Sequence, residues 1–151
     1  MNAAREMNPR ITTRKIAAVR AGGDRHLIVT WRGGGESLVN LARFISSFEI
    51  FAPLDGDDAL FRKVEVGEWG WCVHWTDEME ISADSLRRLA LEQGAAWLRD
   101  WRAKHRMSEA EAARALGVAP HLWAGYETGS RLLPKTIRLA AIGLDAQSEA
   151  A

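Results

Sequence analysis

Residues that start and end helices recur at short intervals after Ser108, and this constrains the fold more than any other feature of the sequence. Ser108 and Glu111 have the Ser-x-x-Glu spacing of a capping box, which satisfies backbone donors in the first turn of a helix. Gly117 follows, and glycine commonly ends a helix in the left-handed conformation. Pro120 suits the first turn of the next helix, where its missing N–H would have no partner. The segment can therefore form only short helices joined by a tight turn.

Two further helices are predicted on either side of this pair. Trp97, Leu98 and Trp101 recur at helical spacing before it and indicate one buried face. The arginines around that stripe form either a solvated helix face or a cationic row for phosphates; they are Arg99, Arg102 and Arg106. After the pair, Pro134 predicts the start of a fourth helix.

The stretch MSEAEAARALGVAPHLWAGYETGSRLLP resembles the Cro/repressor-like (xenobiotic-response-element type) helix-turn-helix family. The features that carry the resemblance are Ala113, Gly117-Val118, Trp123, Tyr126-Glu127-x-Gly129 and Pro134. The resemblance implies that residues 94–145 form an all-α helix-turn-helix domain of the lambda-repressor-like type. The third helix of such domains enters the major groove of DNA.

The same resemblance implies a set of DNA-binding residues. Carried over by position, the groove-facing residues are Pro120, His121, Ala124, Gly125 and Thr128. The candidates for contact with the DNA backbone are Ser108, Glu109, Arg131 and Lys135. The family usually has Gln at the position of Glu109, where it braces a phosphate, so this chain departs from the pattern there.

Charge is distributed unevenly along a chain whose formal net charge is zero. Residues 94–145 have eight Lys or Arg against five Asp or Glu, a net charge of +3, whereas residues 1–93 have twelve against fourteen, a net charge of −2. A mildly basic segment is compatible with phosphate contact. The predicted groove face, however, has no Arg, Asn or Gln, the residues best suited to reading bases.

Two hypotheses for the function follow. In the first, the protein is a homodimeric, cytoplasmic regulator of transcription that binds double-stranded DNA, and its N-terminal domain holds the dimer or senses a signal. In the second, it is a protein-binding module, antitoxin-like or an adaptor, that docks a partner protein through the face with Ala124 and Gly125. The basic balance of residues 94–145 favours the first hypothesis, and the nearly uncharged groove face favours the second.

The N-terminal part is predicted to begin as an antiparallel meander. Residues 26–32 alternate with Leu27, Val29 and Trp31 on one side, which is typical of a half-buried strand. Turn signals at residues 22–24 and 33–35 separate it from strands over residues 15–20 and 37–41.

A helix over residues 43–51, ended by Pro53, follows the meander. Asp57 or Asp58 is expected to cap a further turn, and Val64 and Val66 to begin another strand. The next strand places a row of tryptophans on one face, and we expect this row to be buried against a helix or a second subunit; it comprises Trp69, Trp71 and Trp75.

Three segments resemble a bacterial α+β family of unknown function (domain of unknown function 2442) over residues 14–93. They are IAAVRAGGDRHLIVTW, FAPLDGDDALFRKVEV and GWCVHWTDEMEISADSL. The resemblance implies a small antiparallel sheet with short helices and brings no known activity.

The predicted domain organisation is therefore α+β followed by all-α. Ser82 caps a helix that runs to about Gln93, and Gly94 is expected to break it at the domain boundary. Residues 1–13 are expected to form a flexible N-terminal arm without the apolar core of a secretory signal, and residues 146–151 a frayed tail.

The sequence predicts no cofactor, no metal and no enzymatic activity. Cys72 and His74 share a strand face but lack further ligands at metal-binding spacing. The aspartates at 55, 57 and 58 lack the pattern of a calcium loop, and Gly33–Gly35 is not followed by the Lys-Ser/Thr of a phosphate loop. A single cysteine fits a reducing compartment, and no apolar run approaches the roughly 18 residues of a membrane span.

Overall fold

Two three-stranded antiparallel sheets form the first part of the computed structural model, which describes residues 14–150, and helices form the rest. The predicted arm at residues 1–13 and the last residue of the tail lie outside the described residues. The strands are β1 (Ile16–Ala21), β2 (His26–Trp31), β3 (Glu36–Asn40), β4 (Glu65–Val66), β5 (Cys72–His74) and β6 (Glu80–Ser82). The α-helices are α1 (Ala42–Ser47), α2 (Asp58–Phe61), α3 (Ala83–Lys104), α4 (Glu109–Ala115), α5 (Pro120–Thr128) and α6 (Lys135–Ala150). This arrangement confirms the predicted α+β fold class.

The first sheet is the predicted meander, in the order β1-β2-β3. Alternation along β2 buries Leu27, Val29 and Trp31 on one side. Leu27 pairs with Val39 on β3, and Val29 pairs with Ser37. The Trp31 indole N–H donates to the Ser37 hydroxyl at 2.8 Å, so the polar edge of the buried ring is satisfied.

The helical connection after this sheet differs from the prediction. Helix α1 ends before Phe48, which is extended at φ −128° and ψ 121°. A 3₁₀ helix (Glu49–Leu54) then contains Pro53, so the expectation that Pro53 ends one continuous helix is wrong. The Asp57 carboxylate caps α2 by accepting from the Leu60 N–H at 3.0 Å, as predicted.

The predicted row of buried tryptophans does not form, because β5 has only three residues. Trp69 lies before it in a 3₁₀ turn (Glu68–Gly70) with a left-handed backbone, φ 60°. Trp69 and Trp71 are 67% and 44% exposed, whereas Trp75 is 8% exposed. Of these three tryptophans, only Trp75 therefore belongs to the core. Its indole N–H donates to the Phe61 carbonyl at 2.9 Å.

This turn requires glycine at position 70 for two reasons. Its φ is +77°, and strand β1 leaves no room for a side chain. A Cβ at Gly70 would lie 2.4 Å from the Ile16 carbonyl oxygen, so strand β1 excludes any larger residue. Gly34 has φ +100°, but a Cβ there would meet nothing within 4 Å, so only its backbone conformation favours glycine.

The substitution Gly34→Ala should lower the free energy of unfolding by about 1–2 kcal/mol, the cost of the left-handed conformation. Gly70→Ala should cost clearly more, because β1 must also move. Urea unfolding of both variants would measure the difference. Equal losses would show that crowding at Ile16 does not hold the turn.

The chain divides into two compact units, Met1–Leu89 and Ala90–Ala151. Helix α3 begins as predicted, with the Ser82 hydroxyl accepting from the Ser85 N–H at 3.1 Å. It then continues through Gly94, so the predicted helix break there is wrong. A Cβ at Gly94 would lie 3.1 Å from the Leu133 Cβ, so glycine serves the close approach of Leu133 to the helix.

The predicted frayed tail is also corrected, because α6 continues to Ala150. Residues 146–150 contain no glycine or proline, and alanine, glutamine and glutamate are good helix formers.

The second unit has its own apolar core. Its buried members are Leu98, Trp101, Ala112, Ala113, Trp123, Tyr126, Leu133 and Ala141. The core therefore joins the second half of α3 to α4, α5 and α6. Across residues 14–150, none of the helices combines the length and the apolarity needed to cross a membrane.

Candidate nucleic-acid interface

Helix α4 starts at the predicted capping box. The Ser108 hydroxyl accepts from the Glu111 N–H at 3.1 Å, and the Ser108 N–H donates to the Glu111 carboxylate at 3.2 Å. The backbone hydrogen bond from Ser108 lowers the pKa of Glu111. The Glu111 carboxylate is thus held back against the start of its own helix.

The turn between α4 and α5 is set by local residues. Gly117 is left-handed, with φ +69°, and the Val118 N–H donates to the Ala113 carbonyl at 2.8 Å. Ala119 is extended, and Pro120 occupies the first turn of α5, as predicted. Gly129 ends α5 with φ 80°.

Helix α5 has a buried side and an exposed side. Trp123, Tyr126 and Glu127 are buried. Among the residues predicted to face the groove, four are exposed: Pro120, His121, Ala124 and Thr128. Spacings of three and four residues place His121, Ala124 and Thr128 on one helix face. We call this the α5 face.

Gly125 does not belong to the α5 face, which corrects the expectation that it is exposed. It is buried, and a Cβ at this position would lie 2.7 Å from the Arg131 Cδ. The aliphatic part of Arg131 covers the glycine, while Arg131 as a whole is exposed. The structure thus brings together one predicted groove residue and one predicted backbone-contacting residue.

The remaining predicted contacts with the DNA backbone lie at helix starts. Ser108 and Glu109 are exposed at the start of α4, and Lys135 is exposed at the start of α6. The start of α5 has no side-chain cap. Helix starts with exposed backbone N–H groups attract phosphates.

The buried carboxylate of Glu127 is the feature that the sequence analysis missed. Glu127 is 4% exposed and accepts two hydrogen bonds from Arg102 of α3, at 2.8 Å from Nε and 2.9 Å from Nη2. The Trp123 indole N–H also donates to it. Three donors thus compensate the burial of this charge.

Arginines of α3 also bind backbone carbonyls. Arg99 donates to the carbonyl of Glu127 at 2.6 Å, and Arg102 donates to the carbonyl of Met107 at 3.2 Å. The hydrogen bond to Glu127 raises the pKa of Arg102. Arg99 and Arg102 therefore link α3 to α5 and to the turn before α4. They form neither a solvated helix face nor a cationic row for phosphates, the two alternatives predicted for these arginines.

A signal for this cluster was present in the sequence. Glu127 interrupts an apolar helix four residues after Trp123, and Arg99 and Arg102 are three residues apart on a preceding helix. A lone acid on a core-facing side predicts a buried partner. Within residues 14–150, no group of three His, Cys, Asp or Glu side chains is placed to hold a metal ion.

Replacing Arg102 by Met should lower the free energy of unfolding by about 3 kcal/mol, because Glu127 is then buried with too few donors. Glu127→Gln should cost less, about 1–2 kcal/mol, since the buried carboxylate is removed and the remaining charge, on Arg102, is 27% exposed to water. Arg114→Met removes an exposed cation and should change stability by less than about 0.5 kcal/mol. Chemical unfolding gives all three values, and an Arg102→Met loss as small as that of Arg114→Met would contradict the role of the pair.

The structure defines the class of the protein as an α+β domain joined to a helical unit. A family model described as "Protein of unknown function (DUF2442)" matches residues 16–92, and the chain belongs to this family. The N-terminal resemblance is thereby confirmed.

Among solved structures, the crystal structure of "Putative DNA Binding Protein NE0471" from Nitrosomonas europaea ATCC 19718 is similar to this chain. The two share 30% sequence identity, with a TM-score of 0.49, and the match covers 87% of this chain and 86% of that chain. A search of curated proteins found no match to this sequence.

Proposed function

We propose that the protein is a cytoplasmic DNA-binding regulator of transcription and acts without catalysis. In this proposal α4 and α5 form a repressor-like helix-turn-helix, and the α5 face enters the major groove. The observation that carries the proposal is the exposed α5 face. The opposite side of α5 is held by buried Glu127 and Trp123 and by the half-buried Arg102.

The buried cluster supports DNA binding because a reading helix must be held in a fixed orientation. Two hydrogen bonds from Arg102 and one from Trp123 fix the Glu127 side chain, so α5 is bound to α3 by polar contacts as well as by packing. Prepositioned groups lose less conformational freedom on binding.

Contacts with phosphates are proposed for Ser108, Arg131 and Lys135, together with the uncapped start of α5. The carboxylate of Glu111 is turned back into the capping box, which keeps it at the start of its own helix. Glu109 is exposed beside Ser108, and its negative charge repels a phosphate there. We therefore propose that Arg131 provides most of the electrostatic attraction to the DNA backbone.

Base reading is proposed to be modest. His121 is exposed on the α5 face and could contact a base. The Thr128 hydroxyl already donates to the Gly125 carbonyl at 3.3 Å. The face has no side chain that could form the bidentate contacts of Arg, Asn or Gln. Affinity should therefore come mainly from phosphates and depend steeply on salt.

Fluorescence anisotropy with labelled duplexes that tile the DNA upstream of the coding region, at several salt concentrations, tests the proposal. We expect one duplex to bind better than the rest and all affinities to fall with salt. No binding even at low salt would contradict DNA binding and favour the protein-docking module.

Arg131→Met keeps the aliphatic stem over Gly125 and removes the charge. It should weaken binding to all duplexes alike and reduce the slope of log affinity against log salt by about 1. Arg62→Met makes the same change at an exposed arginine of the first unit and should leave both quantities unchanged. If Arg131→Met has the same slope of log affinity against log salt as the wild-type protein, Arg131 does not contact a phosphate.

Ala124→Glu adds a negative charge to the centre of the α5 face and should weaken DNA binding at least ~10-fold with little change in stability. Ala140→Glu is the matched control, because Ala140 is also an exposed helical alanine. Anisotropy and thermal unfolding of both variants separate loss of binding from loss of fold. Equal DNA affinities for the two variants would place the binding surface elsewhere.

A further inference from the structure

Two exposed tryptophans of the first unit line the same open cleft. Trp69 is the most exposed of the large apolar side chains in residues 14–150, and Trp71 is exposed as well. The cleft has a volume of about 470 Å³, which is within the range of sites for small ligands, and its lining comes from residues 67–82. We call it the Trp69 cleft.

The backbone of Trp69 has a conformation that a bulky residue rarely adopts. Its φ of 60° and ψ of 9° are left-handed, and Gly70 after it is left-handed too. Contacts of the indole do not explain this conformation, because the side chain is largely exposed and makes no hydrogen bond or ring contact within residues 14–150. Strain of this kind clusters at functional sites. The fold thus holds an indole outside the core at the expense of its own stability.

The charged side chains that line the Trp69 cleft are acidic. Glu68, Asp77 and Glu80 line it and are exposed, and no lysine or arginine of residues 14–150 belongs to the lining. The Lys15 ammonium lies nearby, over the ring of Trp71. Three carboxylates outnumber this one ammonium, so the cleft attracts cations.

The contact with Lys15 shows that an indole of the Trp69 cleft already holds a cation. Lys15 Nζ lies 4.4 Å from the centroid of the Trp71 ring, which is the geometry of a cation–π contact. Lys15 is buried, whereas Trp71 is 44% exposed, so ring surface remains for a second group. The indole of Trp69 has no such cation among residues 14–150.

The Cys72 thiol, which also lines the cleft, does not favour a metal or a covalent reaction there. Burial raises the pKa of this thiol, and the negative charge of Glu80 adds to the rise. The thiol therefore stays protonated at neutral pH and is a poor nucleophile and metal ligand. Aromatic faces and carboxylates remain as the groups that select a ligand.

We propose that the Trp69 cleft binds an organic cation of the guanidinium type, with its plane against an indole and its N–H groups donating to the lining carboxylates. A guanidinium is planar and weakly hydrated, stacks on aromatic rings and forms paired hydrogen bonds with a carboxylate. An ammonium is compact and strongly hydrated, so it would use these features less well. The site goes beyond the proposed function, and its test needs no DNA.

NMR titration of the full chain with N-acetyl-L-argininamide tests the site through the indole N–H signals. His74 also lines the cleft, so the titration is run at pH 8, where histidine is ordinarily neutral. We expect a dissociation constant on the order of 0.1–1 mM, because the contacts are few and open to water. N-acetyl-L-citrullinamide has nearly the same shape without the charge and should bind at least ~10-fold more weakly.

Two variants and a matched control assign the binding to this cleft. Trp69→Ala removes one indole and should raise the dissociation constant at least ~5-fold. Glu80→Gln removes one lining charge at equal size and should raise it several-fold. Glu49→Gln removes an exposed carboxylate of the first unit that does not line the cleft, and should leave it within about twofold.

A second probe distinguishes the two sources of a guanidinium, a free small molecule and an arginine side chain of a partner protein. It is a five-residue peptide with arginine at its centre, flanked by serine and glycine. Binding at least ~10-fold tighter than that of N-acetyl-L-argininamide would identify a peptide segment as the ligand. Equal affinity would identify a small molecule.

Three results would overturn the proposal. The first is no shift of the indole signals even ~10-fold above the expected dissociation constant. The second is equal binding of the citrulline compound, and the third is unchanged binding in both Trp69→Ala and Glu80→Gln. Circular dichroism verifies that each variant is folded.

Trp69→Gly tests whether the strained tryptophan serves a ligand or the fold. Glycine adopts the left-handed conformation without strain, so this variant should lose binding while its midpoint of urea unfolding stays unchanged or rises. A clear fall of the midpoint would show that Trp69 is retained for stability and would contradict the proposal.

Discussion

The geometry of the second unit depends on the ion pair between buried Glu127 and half-buried Arg102. A carboxylate that is 4% exposed is tolerated only where donors replace the water it has lost. Arg102 supplies two, and Trp123 on the same helix supplies a third. Since Arg102 also donates to the carbonyl of Met107, one guanidinium links α3, the turn before α4, and α5. The orientation of α5, and with it the α5 face, follows from this network together with the apolar core.

Elements controlled by neighbouring residues could be predicted from the sequence. The capping box of Ser108, the left-handed Gly117 and the proline at the start of α5 each depend on a few consecutive residues. The meander was predictable because alternation along β2 is itself the burial pattern. Gly94 and Trp69 were not predictable in this way. Gly94 makes room for Leu133, nearly forty residues later, and the turn of Trp69 is fixed by the closeness of Gly70 to Ile16.

In the candidate site, too, features set by neighbouring residues were predictable, and features set by contacts between distant residues were not. The resemblance to helix-turn-helix proteins, carried over by position, was enough to place His121, Ala124 and Thr128 on one exposed face, but it placed Gly125 there as well. It could not show that the stem of Arg131 covers Gly125, because that contact depends on the path of the chain after α5. Nor could it distinguish a solvated Arg102 from one paired with Glu127, since the pair joins residues on different helices. Positions carried over from a resemblance thus predict most of the exposed side of a helix, while the tertiary fold decides which polar groups remain available.

The continuity of α3 has a consequence for where this protein can be cut. A fragment that begins at Gly94, where glycine was expected to break the helix at the domain boundary, would start in the middle of a hydrogen-bonded helix. Its first four backbone N–H groups would lose their partners, and no capping side chain precedes them. A fragment of the helical unit that begins at Ser82 keeps the natural cap from the Ser82 hydroxyl to the Ser85 N–H. Recombination that exchanges one unit for another is under the same constraint. Its junctions should lie outside the hydrogen-bonded residues of α3.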